Sequence, residues 1–326
     1  MWENVDSLKF DTVLDVFGGT GAISHLFKRM GKQVTYNDYL VFNHIIGMAL
    51  IENSHVTLTR EDMGWLLDLN LPGVYPDFIE RTFSGVYFTD EENQWLDRII
   101  YQIDHCLNNP YKQAVARFAL FQACIIKRPY NLFHRANLYM RLAKVERSFG
   151  NKSTWDTPFE THFRAFVQQA NLGVFDNRRA NRALNCNALE TPIGADLVYI
   201  DPPYLNGKGV GVDYHGFYHF LEGLSDYPNW PLRIDYTSKH KRLLPRFSPW
   251  NSAATIFEAF EHLIARHQNS ILVISYRDDG IPSKKQLIDI VGGYKKTIRE
   301  AEKTQKYALS LRDSKELLLI ATCRQG

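Results

Sequence analysis

An α/β fold is what this 326-residue sequence predicts: a mostly parallel sheet that delivers carboxylates to one edge, interrupted by a largely helical insertion. Three stretches predict it. Near the amino terminus a β-branched run breaks into glycines and resumes as a helix. Near residue 200 a short apolar run ends in Asp201-Pro202-Pro203-Tyr204. Between residues 55 and 180 the apolar residues recur at helical rather than strand spacing. These divide the chain into a catalytic domain of residues 1–54 and 181–326, a helical insertion of 55–180, and a second insertion of 205–250.

Taken in order, Thr12-Val13-Leu14-Asp15-Val16-Phe17 alternates and is rich in β-branched residues, so it reads as a strand. Gly18-Gly19-Thr20-Gly21 then forms a loop, and residues 22–30 form a helix stopped at Gly31. Glycines let a ligand approach the backbone closely, and a helix start offers unpaired N–H groups. A nucleotide-like cofactor is implied. Gln33-Val34-Thr35-Tyr36 is a second strand, closing on Asn37-Asp38. Asp38 thus lies about 20 residues past the glycines, where ribose hydroxyls are held in dinucleotide folds.

The nicotinamide fingerprint wants a third glycine or alanine, but Gly19-x-Gly21-x-x-Ser24 meets it only in part. Asp15-x-Phe17-x-Gly19-x-Gly21 instead places an acid and an aromatic ahead of the glycines. That suits a ligand with a cationic amino group and no pyrophosphate, which is S-adenosylmethionine.

In the insertion, Trp95-Leu96-x-x-Ile99-Ile100-x-x-Ile103 and Val115-x-x-Phe118-Ala119-x-Phe121 repeat at helical spacing. Charge is uneven there. Residues 52–104 hold eleven Asp and Glu against three Lys and Arg, whereas residues 127–152 hold seven Lys and Arg against Glu146 alone. Tyr130, Phe133, His134 and Tyr139 interleave with the basic set, and Lys239-His240-Lys241-Arg242 forms a second basic knot. Basic residues mixed with aromatics point to a polyanion, so Lys127, Arg128, Arg135, Lys239, Lys241 and Arg242 are candidate contacts for one, with the stretch from Lys127 to Lys152 as the contacting region.

Residues 182–187 read as a strand ending near Asn187, and Leu197-Val198-Tyr199-Ile200 as a buried strand. That strand hands Asp201 to the carboxyl edge, where open α/β sheets bind ligands. Pro202 and Pro203 hold the next backbone extended, with carbonyls that accept and no N–H to donate. An acceptor-only corner beside the ring of Tyr204 suits a planar amine. Further on, residues 253–267 read as an amphipathic helix, 270–276 as a buried strand and 286–291 as a helix. Tyr307-Ala308-Leu309 with Leu317-Leu318-Leu319-Ile320 reads as a closing hairpin.

Composition fits a globular protein, 45% hydrophobic and 23% charged with a net charge of +2. No apolar run approaches the roughly 18 residues of a membrane span, and residues 1–6 lack a signal-peptide pattern, so a cytoplasmic protein is expected. Cys106, Cys124, Cys186 and Cys323 are scattered, which favours buried thiols over disulfides or a zinc site, and no metal is expected.

Asp15-Val16-Phe17-Gly18-Gly19-Thr20-Gly21, Asn37-Asp38, Asp201-Pro202-Pro203-Tyr204, residues 217–224, Ser275-Tyr276-Arg277 and Glu316-Leu317-Leu318-Leu319-Ile320 together resemble the adenine-specific DNA methyltransferases of the Dam-like group. The resemblance implies a Rossmann-like, mixed, seven-stranded methyltransferase sheet, with S-adenosylmethionine held by Asp15, Phe17, Gly18, Gly19, Thr20, Gly21, Asp38 and Asn187. It implies catalysis at Asp201, Pro202, Pro203 and Tyr204 on an adenine flipped out of duplex DNA. Asp201 and the Pro202 carbonyl would accept the two amine N–H bonds while the Tyr204 ring stacks, so phenylalanine at 204 is expected to suffice. The implied setting is restriction-modification, phage or orphan methylase, with or without a cognate restriction endonuclease, and the implied state a monomer or weak dimer.

Three rivals stand beside this reading. An RNA adenine N6-methyltransferase usually has little inserted between cofactor loop and corner; a DNA cytosine N4-methyltransferase usually has serine in place of Asp201; a decayed DNA-binding scaffold would not keep Asp15, Gly19, Gly21, Asp201 and Tyr204. The family also carries a glycine and a basic residue ahead of the first strand, a pattern not found in residues 1–11. Either the natural chain starts upstream of residue 1, or another segment finishes the pocket, or the cofactor is held less tightly; an open-sided pocket is expected to gain cofactor affinity when DNA closes it.

Overall fold

β1 (Thr12–Asp15), β2 (Gln33–Asn37), β3 (Arg182–Leu184), β4 (Leu197–Ile200) and β5 (Ile271–Arg277) pair in parallel, and β6 (Thr297–Gln305) with β7 (Ser314–Thr322) closes the sheet antiparallel. The order is β3-β2-β1-β4-β5-β7-β6, the expected mixed sheet of seven strands. This computed structural model describes residues 1–68, 71–144, 152–305 and 314–322. The chain divides into two compact units. One comprises Met1–Tyr39, Asn177–Asp213 and Arg246–Gly326, and the other Leu40–Asp176 and Tyr214–Pro245. The helical unit therefore begins at Leu40 rather than residue 55, and only residues 214–245 of the second insertion belong to it.

Strand alternation sorts the sheet unit into two faces. Leu14, Val198, Ile200, Leu272, Ile274, Leu317 and Leu319 point to one face, where Phe260, Leu263 and Ile264 of the helix Ile256–Arg266 and Leu287 and Val291 of the helix Lys284–Gly292 cover them. Asp15, Tyr199 and Asp201 point to the other face, which carries the helix Ala22–Arg29. Far from the carboxyl edge, Asp196 ties β1 to β4 by accepting from the Asp11 and Thr12 N–H groups and the Thr12 hydroxyl at 2.8–2.9 Å.

The closing hairpin exists, but its first strand is Thr297–Gln305, upstream of the expected position; Tyr307-Ala308-Leu309 lie outside the described residues. Its sequence, Thr-Ile-Arg-Glu-Ala-Glu-Lys-Thr-Gln, is charged because β6 is an edge strand, where charge discourages pairing with another chain and also hides the apolar rhythm. β3 stops at Leu184, leaving Asn187 to cap the short turn Ala188–Glu190.

In the helical unit, Asp90–Cys106, Pro110–Ile126 and Phe159–Gly173 are the long helices. Thr89 and Glu92 form a capping box at the first, and Asn109 with Pro110 starts the second. Phe83, Tyr87, Phe88, Phe133, Phe220 and Trp230 form a buried aromatic core, with Phe133 and Phe220 stacked at 5.2 Å. Phe220 therefore serves packing rather than a ligand. Cys124 is buried as expected, Cys106 and Cys186 are only half-buried, and Cys323 lies outside the described residues.

Candidate active site

The sheet order reverses at β1, which has β2 on one side and β4 on the other. Such a switch point opens a crevice beyond the strand ends. Register aligns those ends, since Asp15 lies beside Tyr36 on β2 and Tyr199 on β4, and Ile200 beside Ile274 on β5. Asp15, Asp38, Asp201 and Ser275 consequently meet at one edge and on one face.

The glycine loop is built against this edge. Gly18 donates to the Asn37 carbonyl at 2.7 Å, and a Cβ there would lie 2.1 Å from the Tyr36 ring, so no side chain fits. Gly21 caps the helix Ala22–Arg29 at φ 76°, a left-handed conformation suited to glycine. Asp38 Oδ2 accepts from the Gly19 N–H at 3.0 Å, and the Tyr36 hydroxyl donates to the Gly19 carbonyl at 2.7 Å. Thr20 is exposed at the loop tip.

Asp15 is 1% exposed, and its Oδ2 accepts from the Ser24 hydroxyl at 2.6 Å. Burial pushes its carboxyl up to about 7; the Ser24 bond opposes this, and the Asp201 and Asp38 carboxylates add to it. Its Oδ1 is buried with no hydrogen-bond partner. A buried carboxylate oxygen with acceptor capacity to spare fits the ammonium of S-adenosylmethionine. Ser24, the position that fails the nicotinamide fingerprint, is thus a hydroxyl serving Asp15. Only its spacing from Asp15 hinted at that.

At the second motif, Pro202 is buried while Asp201, Pro203 and Tyr204 are half-buried. Tyr204 Oη donates to Asp201 Oδ1 at 2.5 Å and lies 3.2 Å from Ser275 Oγ, and its ring meets the Tyr276 ring edge-on at 5.3 Å. The Tyr199 hydroxyl donates to Asp201 Oδ2 at 3.3 Å. The Tyr204 hydroxyl therefore has a structural engagement that the expectation of a freely tolerated phenylalanine left out.

Beside the first motif, a cleft of about 60 Å³ is lined by Phe17, Asn37, Tyr39, Asn187 and residues 246–250. Asn187 is exposed and accepts from the Leu189 N–H at 3.1 Å. Trp250 meets Phe17 edge-on at 4.9 Å, and the Arg246 guanidinium lies 5.3 Å from the Tyr39 ring. The Asn37 amide bonds the Val16 and Cys186 carbonyls and the Cys186 N–H, which pins three strand ends together. Tyr39, Arg246 and Trp250 went unnoticed in the sequence because no local pattern links them to Phe17.

The basic candidates divide sharply. Lys127 and Arg128 are each 1% exposed, which corrects their assignment to a DNA face. Lys127 Nζ pairs with Glu92 at 2.8 Å and donates to the Trp155 and Thr157 carbonyls, and Arg128 lies 4.1 Å from the Tyr87 ring centre and donates to the Leu132 and Arg135 carbonyls. Burial alone would raise the Glu92 carboxyl, yet Arg141, at 2.8 Å to each oxygen, and Lys127 hold it below its usual range. These cations hold the unit together. Lys127→Met is expected to cost about 3 kcal/mol in chemical denaturation, by breaking a buried ion pair, while leaving DNA affinity unchanged. Weaker DNA binding with unaltered stability would contradict this.

Arg135 and Lys239 are exposed. Residues 233–244 form a hairpin, closed by the Ile234–Leu243 bridge and by Asp235 N–H to Arg242 carbonyl at 2.8 Å. Lys239 lies in its tip, Lys241 Nζ folds back onto the Tyr236 carbonyl, and Arg242 pairs with Asp235 at 3.2 Å. The contact region expected over 127–152 includes residues 145–151, which lie outside the described residues. Among the described residues no helix is long and apolar enough to cross a membrane.

Comparison with known proteins gives concordant results. The model of the D12 class N6 adenine-specific DNA methyltransferases matches residues 3–229. The chain is 29% identical over 312 residues to the type II methyltransferase M2.HphI of Haemophilus parahaemolyticus, which covers 94% of this chain and 87% of that one. It is 25% identical over 290 residues to the type II methyltransferase M.NlaIII of Neisseria lactamica, covering 87% and 80%. Against modification methylase LlaI of Lactococcus lactis subsp. lactis it is 24% identical over 293 residues, but spans only 44% of that protein's length.

Proposed function

Since the chain belongs to the D12 class N6 adenine-specific DNA methyltransferases, we propose that Asp201 is its catalytic carboxylate and Asp15 the anchor for the cofactor's amino group. The family makes the chain a DNA adenine methyltransferase and implies S-adenosylmethionine as the methyl donor. The convergence of Asp15, Asp38 and Asp201 at one sheet edge carries the residue assignments.

When bound, S-adenosylmethionine supplies an electrophilic methyl group on sulfur. Asp15 Oδ1 would receive the ammonium, the glycine loop from Gly18 to Gly21 would let the ligand lie against backbone, and Asp38, which holds that loop through Gly19, would take the ribose hydroxyls. Phe17 and Asn187 border the cleft that takes the adenine end. An exocyclic adenine amine is a weak nucleophile because its lone pair is delocalised into the ring. Asp201 and the Pro202 carbonyl accept its two N–H bonds, which localises that pair toward the methyl group, and the Tyr204 ring stacks on the flipped base. Asp201 acts as an acceptor and stabiliser rather than a strong base.

On the helical unit, Arg135 and the hairpin tip with Lys239 are the residues offered to DNA phosphates. Lys239→Ala is expected to lower DNA affinity and to reduce the slope of log K against log salt by about 0.9, the value for one phosphate contact. An unchanged slope would leave Lys239 a solvated charge. We infer from the family a cytoplasmic protein, a monomer or weak dimer, that modifies DNA with or without a companion endonuclease.

The direct test is nucleoside mass spectrometry of unmethylated DNA, and of RNA in parallel, after incubation with protein and S-adenosylmethionine. N6-methyladenine in DNA alone is the expected product. N4-methylcytosine, or methylation of RNA alone, would overturn the assignment.

A further inference from the structure

The hydroxyls around Asp201 form a connected set. A carboxylate only accepts hydrogen bonds, so the 2.5 Å contact fixes the Tyr204 proton on Asp201 Oδ1. A phenol has one proton, so toward Ser275 Oγ at 3.2 Å the Tyr204 oxygen accepts, and the serine hydroxyl donates. Ser275 is 2% exposed and stands beside Asp201 because β5 pairs with β4 in the register Ile274 to Ile200. On the opposite side, Tyr199, 4% exposed and two residues before Asp201 on the same strand face, places its hydroxyl 3.3 Å from Oδ2. Each carboxylate oxygen thus receives one tyrosine hydroxyl.

We propose that Ser275 and Tyr199 are positioning residues for methyl transfer: with the Tyr204 hydroxyl they clamp both oxygens of the Asp201 carboxylate in one rotation, the one in which it faces the substrate amine. A carboxylate on a single side-chain torsion otherwise samples many orientations, and only those facing the amine stabilise the transition state. Ser275 acts at one remove. By donating to Tyr204 it favours the tyrosine proton pointing at Asp201 Oδ1, and chains of this kind strengthen one another in a low-dielectric site. The assignment rests on Asp201 being the catalytic carboxylate.

The test uses a pair matched in shape at Ser275, together with Tyr199→Phe. Ser275→Thr keeps the hydroxyl and Ser275→Val removes it at the same volume, and both are β-branched residues suited to a strand. Turnover is followed by transfer of tritiated methyl groups to unmethylated plasmid DNA, and cofactor and DNA affinities are measured separately. Ser275→Val and Tyr199→Phe are each expected to lower kcat by about three- to tenfold, as for the loss of one hydrogen bond. KM for DNA and Kd for S-adenosylmethionine should stay unchanged, and Ser275→Thr should restore kcat. In an Asp201→Ala background, assayed by single turnover, neither change should lower the residual rate further, because there is no carboxylate left to position. Wild-type kcat in both variants, or full additivity with Asp201→Ala, would overturn the clamp alone. Wild-type turnover in Asp201→Ala itself would overturn the catalytic reading on which the clamp rests.

Discussion

Asp201→Ala should bind cofactor and DNA with affinities close to the parent's, and transfer methyl groups about 10²- to 10³-fold more slowly. The acceptor bond to the amine strengthens only as positive charge develops on nitrogen, and removing one preorganised partner of a developing charge costs that much. Losses should therefore appear in kcat rather than in either binding constant. Removing the carboxylate also takes one hydrogen bond from each of the Tyr204 and Tyr199 hydroxyls, but the corner is held independently. Pro202 and Pro203 fix the backbone, Leu205 is buried in the sheet core, and Tyr276, buried beneath Tyr204, donates its hydroxyl to the Ile281 carbonyl. Fold and thermal stability are thus expected to survive, so lost activity reports on chemistry. Turnover equal to wild type, with methylated DNA as product, would remove Asp201 from the mechanism.

Much of the sheet unit was legible in the sequence because its signals are local. β1, the glycine loop and the following helix occupy one continuous stretch, and the β4 corner another; each carries its own apolar run and its own breakers. β6 was misplaced for a physical reason, since an edge strand is under pressure to be charged and so loses the alternation that marks a strand. The basic cluster at Lys127 misled for a related reason. Composition counts cations but does not see that Glu92, thirty-five positions earlier in the numbering, closes on Lys127 and Arg141 from another helix. Tyr199, Ser24 and Ser275 escaped notice because a buried tyrosine or serine looks like ordinary strand or helix filling until register places its hydroxyl against a carboxylate. Partners set by long-range register are what a linear reading misses.

Asp15→Asn should separate cofactor affinity from stability in opposite senses. In the folded chain the Asp15 carboxyl titrates near 7, raised by burial and by neighbouring Asp201 and Asp38, whereas an unfolded aspartate titrates at about 3.9. The unfolded state thus releases this proton at lower pH, so the folded state loses stability as pH rises from about 4 to 7, and the loss is complete above 7. At 1.36 kcal/mol per unit the full effect is about 4 kcal/mol. Asparagine does not titrate. Its stability curve should lack this decline, so the gap between variant and wild type, followed by urea denaturation without cofactor, should shift in the variant's favour by a few kcal/mol between pH 4.5 and 8. The same change deletes the only charge Asp15 offers an ammonium group, and S-adenosylmethionine should bind roughly 10- to 100-fold more weakly at pH 8, the usual cost of a hydrogen bond to a charged partner. Calorimetry supplies the second half of the test: wild-type affinity should rise with pH up to about 7 as Asp15 gives up its proton to receive the cofactor, and the variant's affinity should not. Parallel stability curves for the two proteins would show that Asp15 is already ionised when buried, and equal cofactor affinities would place the amino group elsewhere.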